Sequence, residues 1–281
     1  MKNYYKALQT SPNPITLQCT YSDSNNVSEF SALLNQLSHY GFYGIELNLP
    51  DLQILPSKEL DSLLLTYKLK LTYIATGAFA KSRGLSLSCN DPGLRKKSIE
   101  GCRENIRYAG ELGAGVIIGF LKNHPGPDQE HAALYLEESL MQLDTFASEL
   151  NVPILLEATN HYESCVANSL YDTQKILDAV GGRMTSLLPD TYHMNMEESR
   201  PLEALDFYQG YYQNIHLSDN NRLFPGLGCL TFENYLSKLN QIHYQGTFGI
   251  EGNLKNGITE DLEVCVEYLN RVIASVTRFP G

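Results

Sequence analysis

The stretch SLLPDTYHMNMEE, residues 186–198, gives the first indication of how the chain folds. A short apolar run, Leu187–Pro189, is followed at once by Asp190 and three residues later by His193. An apolar run that gives way to polar residues is typical of a buried strand that ends and leads into a helix. Polar side chains at such an end either cap the helix or belong to a functional site. The rest of the sequence has to decide between these two interpretations.

Comparable apolar, β-branched runs recur along the chain, separated by amphipathic segments. In the segment after the first run, Phe30, Leu34 and Leu37 follow helical spacing, and Gly41 marks its end. Strands that alternate with helices are typical of βα units and a parallel sheet. The eight predicted strands are Ile15–Thr20, Tyr43–Leu47, Leu71–Ala75, Gly115–Gly119, Val152–Glu157, Thr185–Asp190, Tyr212–Leu217 and Thr247–Glu251.

Eight such units without a linker or a low-complexity tract predict an α/β fold, a single (β/α)8 TIM barrel. A chain of 281 residues fits a barrel of about 250 residues in one domain. We therefore expect residues 1–281 to form one TIM-barrel domain, with the active site at the carboxyl ends of strands five to eight. A doubly wound open sheet produces a similar local pattern and is the alternative.

Composition narrows the classes of partner and the cellular location. The formal net charge of −11 disfavours a nucleic-acid groove, because binding to phosphates depends on clustered Lys and Arg. Six cysteines without a C-x-x-C pair are typical of reduced thiols in the cytoplasm. Neither a signal-peptide core at the N-terminus MKNYYKALQT nor a membrane-spanning apolar run is present. We expect a cytoplasmic protein without a membrane partner; a homo-oligomer, dimer or tetramer, is compatible with the sequence.

Four neighbouring strands of the predicted barrel carry metal-type ligands at their ends. These residues are Glu157, Asp190, His216 and Glu251, spaced by about one βα unit, so all four side chains should meet at the barrel mouth. Singly, each is explained as a helix cap or a core residue, but four uncompensated polar groups at one buried end are costly unless a cation gathers them. Three carboxylates and one imidazole suit a divalent cation, Mn²⁺ before Mg²⁺ or Co²⁺, with Zn²⁺ as a further candidate. Glu46, at the end of the second strand, could point into the mouth or pair structurally.

Several segments resemble a known family. EATNHYES (157–164), LPDTYHMNMEE (188–198), IHLSDNNRLFPGLG (215–228) and IEG (250–252) are similar to the sugar phosphate isomerase/epimerase superfamily, the xylose-isomerase-like TIM barrels. Within it they are most similar to ketose 3-epimerases and 5-keto-L-gluconate epimerase. The resemblance extends over residues 41–252.

The resemblance implies roles for individual residues. It makes the four strand-end side chains the metal ligands, with Glu157 and Glu251 also acting as the acid/base pair. His193 and Arg222 would hydrogen-bond substrate oxygens near C1 and C2, and Glu163 would contact the substrate. One departure stands out, because the chain has no tryptophan, whereas several ketose 3-epimerases line the sugar pocket with it.

The expected function is that of a metal-dependent sugar epimerase, similar to ketose 3-epimerases. A cation chelated by a ketone and a neighbouring hydroxyl acidifies the adjacent C–H bond and stabilises an enediolate, and two carboxylates on opposite sides can then invert the carbon. The substrate would be a small sugar or a keto-sugar acid.

Other functions stay open from the sequence. An aldose–ketose or inosose isomerase, or a dehydratase acting on an inosose or 3-dehydroshikimate, would need the same metal site. An endonuclease IV-like nuclease is a remote alternative, since it needs more histidines than the strand ends supply. A non-enzymatic binding protein is disfavoured because all four ligands are present.

Overall fold

The computed structural model describes residue 8 and residues 11–22, 27–122 and 131–278. Except for Leu8, the first ten residues, on which the expectation of a missing signal peptide rests, lie outside that range. The described strands are β1 Ile15–Thr20, β2 Gly44–Asn48, β3 Lys70–Ala75, β4 Gly115–Ile118, β5 Ile154–Glu157, β6 Thr185–Leu188, β7 Asn214–Leu217 and β8 Thr247–Ile250. The described helices are α1 Val27–Tyr40, α2 Ser57–Tyr67, α3 Gly77–Arg83, α4 Pro92–Glu111, α5 Ala132–Leu150, α6 Leu170–Val180, α7 Thr191–Glu197, α8 Pro201–Phe207, α9 Phe232–Gln241 and α10 Ile258–Arg278.

The eight strands form one parallel sheet in the order β6-β5-β4-β3-β2-β1-β8-β7. Its two outer strands also meet. The backbone N–H of Leu187 donates to the carbonyl of Tyr211, and that of His216 donates to the carbonyl of Pro189, each at 2.9 Å. The sheet therefore curls into a barrel, so the predicted TIM barrel is confirmed and the open doubly wound sheet is wrong.

All eight predicted strands are present, with ends that differ by no more than two residues from the prediction. The sixth strand ends at Leu188 rather than at Asp190, because the Asp190 carboxylate caps α7 by accepting hydrogen bonds from the backbone N–H groups of Tyr192 and His193. The predicted helix stop at Gly41 is also present, with the left-handed φ of 85° that glycine tolerates.

Apolar side chains fill both sides of the strands. Most pack between the sheet and the surrounding helices, while Ala75, Ile117, Leu155 and Leu188 form a separate buried layer inside the barrel, with Tyr73 against it. The four residues of this layer come from β3, β4, β5 and β6, close to the carboxyl ends of those strands. They form a packed apolar layer next to the polar strand ends.

Two further expectations can be checked against the described residues. All six cysteines are free thiols. Within the described ranges, no helix combines the length and the apolar character that crossing a membrane requires.

Candidate metal centre and active site

The four strand-end residues meet at one point of the barrel mouth. Glu157 is the last residue of β5, Asp190 follows β6, His216 lies in β7, and Glu251 directly follows β8. One ligand atom from each lies within 4.8 Å of the others. The imidazole Nδ1 of His216 is 2.7 Å from a carboxylate oxygen of Glu251, 3.5 Å from one of Glu157 and 3.8 Å from one of Asp190. The structure thus brings together the set that the strand ends predict.

The atoms of this cluster fit a divalent cation. Glu157 Oε1, His216 Nδ1 and Glu251 Oε2 are buried and have no hydrogen-bond partner, since the close contact between His216 and Glu251 lacks hydrogen-bond geometry. Buried polar atoms without a partner are costly, and here three of them face the same space. Carboxylate oxygens with one imidazole nitrogen form a donor set that suits Mn²⁺ and similar ions. The cluster could therefore hold one such ion.

The surroundings shift the pKa values of Glu157 and Glu251 in opposite directions. Burial, and then the charge of Glu251, raise the pKa of Glu157 to about 7. For Glu251, burial acts in the opposite direction, but the charge of Arg222 and the contact with His216 outweigh it and lower the pKa to about 2. Carboxyl groups whose pKa values are pushed apart are suited to opposite roles in acid/base chemistry.

Arg222 lies inside the cluster. Its guanidinium donates to Asp190 Oδ2 at 2.7 Å and to Glu251 Oε1 at 2.6 Å, and it lies 4.9 Å from the centroid of the Tyr192 ring. Asp219, which is fully buried, shapes the loop that carries Arg222 by accepting hydrogen bonds from backbone N–H groups of residues 226, 228 and 230. The family resemblance implies a substrate contact for Arg222, but nothing in the sequence indicates these ion pairs.

His193 is held in one orientation next to the cluster. Its Nδ1 accepts a hydrogen bond from the backbone N–H of Asn160 at 3.1 Å, which places the ring proton on Nε2. Burial lowers the pKa of His193 to about 4, so the ring is neutral near pH 7. Nε2 is buried without a hydrogen-bond partner and lies 3.9 Å from Glu157 Oε1. It is a free donor beside the cluster.

Glu163 and the pocket complete the site. A cavity of about 510 Å³ opens above the cluster, and its polar lining comprises Gln18, Asn48, Lys81, Glu157, Tyr162, Glu163, His193, Arg222 and Glu251. Glu163 accepts a hydrogen bond from the side-chain amide of Asn160 at 3.2 Å. A larger cavity of about 890 Å³ lies at the amino-terminal ends of the strands, and none of the four cluster residues lines it. Active sites of TIM barrels lie at the carboxyl ends, so the smaller cavity is the relevant one.

Sequence reasoning missed two residues that support this arrangement. Lys122 is fully buried, and its ammonium donates to the backbone carbonyls of Glu157, at 2.5 Å, and Ala167, at 2.9 Å. It thereby fixes the loop 158–169 to the end of β5. Asn160 joins His193 to Glu163, and a single lysine or asparagine in a loop gives no signal of such a role. His161, which the sequence left unassigned, pairs with Glu197 at 2.6 Å and is more than half exposed.

Comparisons with known proteins agree with this geometry. Residues 34–268 match a family model described as a xylose isomerase-like TIM barrel. The D-psicose 3-epimerase of Enterocloster bolteae is 23% identical over 249 residues, which cover 85% of this chain and 82% of that protein.

Two solved structures share the fold. The D-allulose 3-epimerase from Methylomonas sp., determined with D-allulose, superimposes with a TM-score of 0.76 at 19% identity and covers 95% of this chain and 98% of that one. The 3-keto-D-glucoside 4-epimerase from E. coli has a TM-score of 0.76 at 18% identity, with coverages of 92% and 98%. The family model matches most of the chain, so the resemblance seen in the sequence is confirmed, and the chain belongs to the xylose isomerase-like TIM barrel family.

Proposed function

We propose that this chain is a divalent-metal-dependent sugar epimerase that inverts the carbon next to a ketone. The observation that carries the proposal is the buried cluster of three carboxylates and one imidazole at the barrel mouth, with three ligand atoms that lack any hydrogen-bond partner. The similarity to ketose 3-epimerases supports the same reaction type. The substrate class would be a small sugar or a keto-sugar acid.

In this proposal Glu157, Asp190, His216 and Glu251 hold the metal, Mn²⁺ before Mg²⁺, Co²⁺ or Zn²⁺. When bound, the cation would polarise the ketone and the neighbouring hydroxyl and so acidify the C–H bond that is broken. The chain's own groups must then bind the sugar, orient it and move the proton.

In this proposal Glu157 and Glu251 carry out the two proton transfers at the carbon that is inverted. They project from the ends of β5 and β8, which are separated around the ring by β6 and β7 on one side and by β1 to β4 on the other, so they can approach a bound sugar from opposite faces. One carboxylate removes the proton from one face, and the other delivers a proton to the opposite face. The roles exchange for the other epimer, and each group would contribute about 10²–10⁴-fold.

Three further side chains would orient the sugar. His193 would donate its Nε2 proton to a substrate oxygen near C1 or C2. Arg222 would turn part of its guanidinium from the carboxylates toward the same oxygens. Glu163, in the wall of the pocket, would accept a hydrogen bond from a substrate hydroxyl.

The proposal is tested by a screen of the metal-reconstituted protein with free ketoses, ketose phosphates and keto-sugar acids, followed by NMR. We expect inversion next to the ketone with at least one of these substrates and loss of both metal and activity in His216→Ala. An aldose product would instead indicate an isomerase, and a product lacking one water would indicate a dehydratase. Full activity of metal-free protein would contradict the proposal.

A further inference from the structure

A buried pair lies beneath the candidate metal centre. The Nε2 atom of His216 is 2.8 Å from Oε2 of Glu46, and neither residue is exposed to solvent. Glu46 belongs to β2, which is separated from β7 by β1 and β8 in the sheet, so its side chain crosses the inside of the barrel to reach the histidine. The pair joins residues that are 170 positions apart in the sequence.

The second oxygen of Glu46 is also held. Oε1 accepts a hydrogen bond from the hydroxyl of Thr16 at 3.1 Å and from the side-chain amide of Asn214 at 3.0 Å. Asn214 is itself oriented, since its amide oxygen accepts from the hydroxyl of Thr247 at 2.7 Å. The side chains of Thr16, Asn214 and His216 that hydrogen-bond Glu46 can all donate, which suits a carboxylate because that group only accepts. The direction in which Oε2 points is therefore fixed by contacts on three other strands.

Gly249 lies against this pair, and its lack of a side chain leaves room for Glu46 and His216. An added Cβ at Gly249, in β8, would lie 2.6 Å from Glu46 Oε1 and 2.8 Å from His216 Cδ2. Both distances are shorter than real Cβ atoms show, so any side chain at residue 249 would displace the pair.

The orientation of His216 has a chemical consequence. With the carboxylate at Nε2, that nitrogen carries the ring proton, and Nδ1 is left with its lone pair toward Glu157, Asp190 and Glu251. A histidine that binds a metal through one nitrogen commonly donates the proton of the other to a carboxylate, and this fixes the tautomer and raises the basicity of the ligand.

We infer that Glu46 is a positioning residue that holds His216 so that Nδ1 is the atom presented to the metal. The inference rests on the proposed function only in that a cation occupies the cluster. It does not depend on the identity of the sugar or on the outcome of the reaction.

The test compares wild type, Glu46→Gln and Gly249→Ala in calorimetric titrations of the metal-free proteins with Mn²⁺. A glutamine places an amide NH2 against the donors of Thr16 and Asn214 or against His216, so it cannot reproduce the arrangement. We expect Mn²⁺ affinity to fall 10–100-fold in both variants. Glu149→Gln, on the exposed end of α5, is the matched control and should bind Mn²⁺ as wild type does. An unchanged affinity in a folded Glu46→Gln protein would overturn the inference.

A second measurement needs no variant. Long-range ¹H–¹⁵N spectra of the wild-type protein loaded with diamagnetic Zn²⁺ report which ring nitrogen of His216 is protonated and which is bound. We expect a protonated Nε2 and a metal-bound Nδ1, and metal on Nε2 would refute the inference even if the enzyme is an active epimerase. Conversely, Nδ1 ligation in a protein that epimerises no sugar would leave the inference intact and end the proposed function.

Discussion

Substituting Gly119 by alanine should impair the site without replacing any reacting group. Gly119 directly follows β4, and an added Cβ would lie closer to Oε2 of Glu157 than the 3.0 Å that real Cβ atoms respect. The carbon skeleton of Glu157 is not crowded to the same degree, since Cδ and Cβ would be 3.4 and 3.8 Å away. Gly119 is not among the residues with positive φ, so alanine adds no backbone strain there. The effect should therefore fall on the carboxylate of Glu157.

The expected size follows from the displacement. The carboxylate has to retreat by about 1 Å to restore ordinary contact, and a misplacement of about 1 Å costs on the order of 10²-fold in rate. That loss corresponds to about 3 kcal/mol of transition-state stabilisation. Because Glu157 is also a proposed ligand, Mn²⁺ affinity should weaken as well.

The assay measures kcat/KM of Gly119→Ala on the substrate identified by the screen, with unfolding followed in parallel. Gly210→Ala is the control, because a Cβ there meets no atom within 4 Å and the residue lies outside the site. We expect a decrease of about 10²-fold for Gly119→Ala and no change for Gly210→Ala, with both proteins folded. If Gly119→Ala keeps its activity and metal affinity within twofold, the placement of the Glu157 carboxylate is wrong.

Two further predictions concern buried groups next to the cluster. Burial lowers the pKa of His193 from its ordinary value of 6.5 to about 4, so between these pH values the unfolded chain binds a proton that the folded protein does not. The free energy of unfolding of the metal-free protein should therefore fall by up to about 3 kcal/mol as the pH drops from 6.5 to 4. Urea titrations across this pH range should show that His193→Gln lacks this pH-dependent decrease. Equal pH dependence of the free energy of unfolding in both proteins would contradict the prediction. Lys122→Met removes the donor from two buried carbonyls at about 1–3 kcal/mol each, so it should lower the free energy of unfolding by about 2–6 kcal/mol. A urea midpoint equal to that of wild type would show that Lys122 does not hold loop 158–169 in place.

The strands and the four cluster residues could be predicted because both depend on local pattern. Strand ends of a parallel barrel share one mouth, so Glu157, Asp190, His216 and Glu251 follow from spacing once eight βα units are recognised. The exact strand end before Asp190 could not be predicted, since the capping bond to α7 shortens β6.

The groups around the cluster depend on the closed barrel and could not be predicted. Glu46 reaches His216 only because β2 and β7 face each other across the interior, and nothing near either residue in the sequence indicates the pair. The same holds for Lys122, whose partners are backbone carbonyls rather than side chains with a recognisable type. The ion pairs of Arg222 depend on the conformation of its loop, in which Arg222 itself has a left-handed φ of 60°.

Solvent exchange during the reaction tests the central claim most directly, namely that Glu157 and Glu251 work on opposite faces of one carbon. The Mn²⁺-loaded enzyme is incubated with its ketose substrate in D₂O, after which the ion is removed and the sugars are analysed by NMR. We predict deuterium at the carbon next to the ketone, C3 of a 2-ketose, together with inversion there and no deuterium at C1. Glu157→Gln and Glu251→Gln should each stop inversion, while the remaining carboxylate can still exchange the proton of a single epimer from its own face. Deuterium at C1 with an aldose product, or inversion that persists in either variant, would contradict the account.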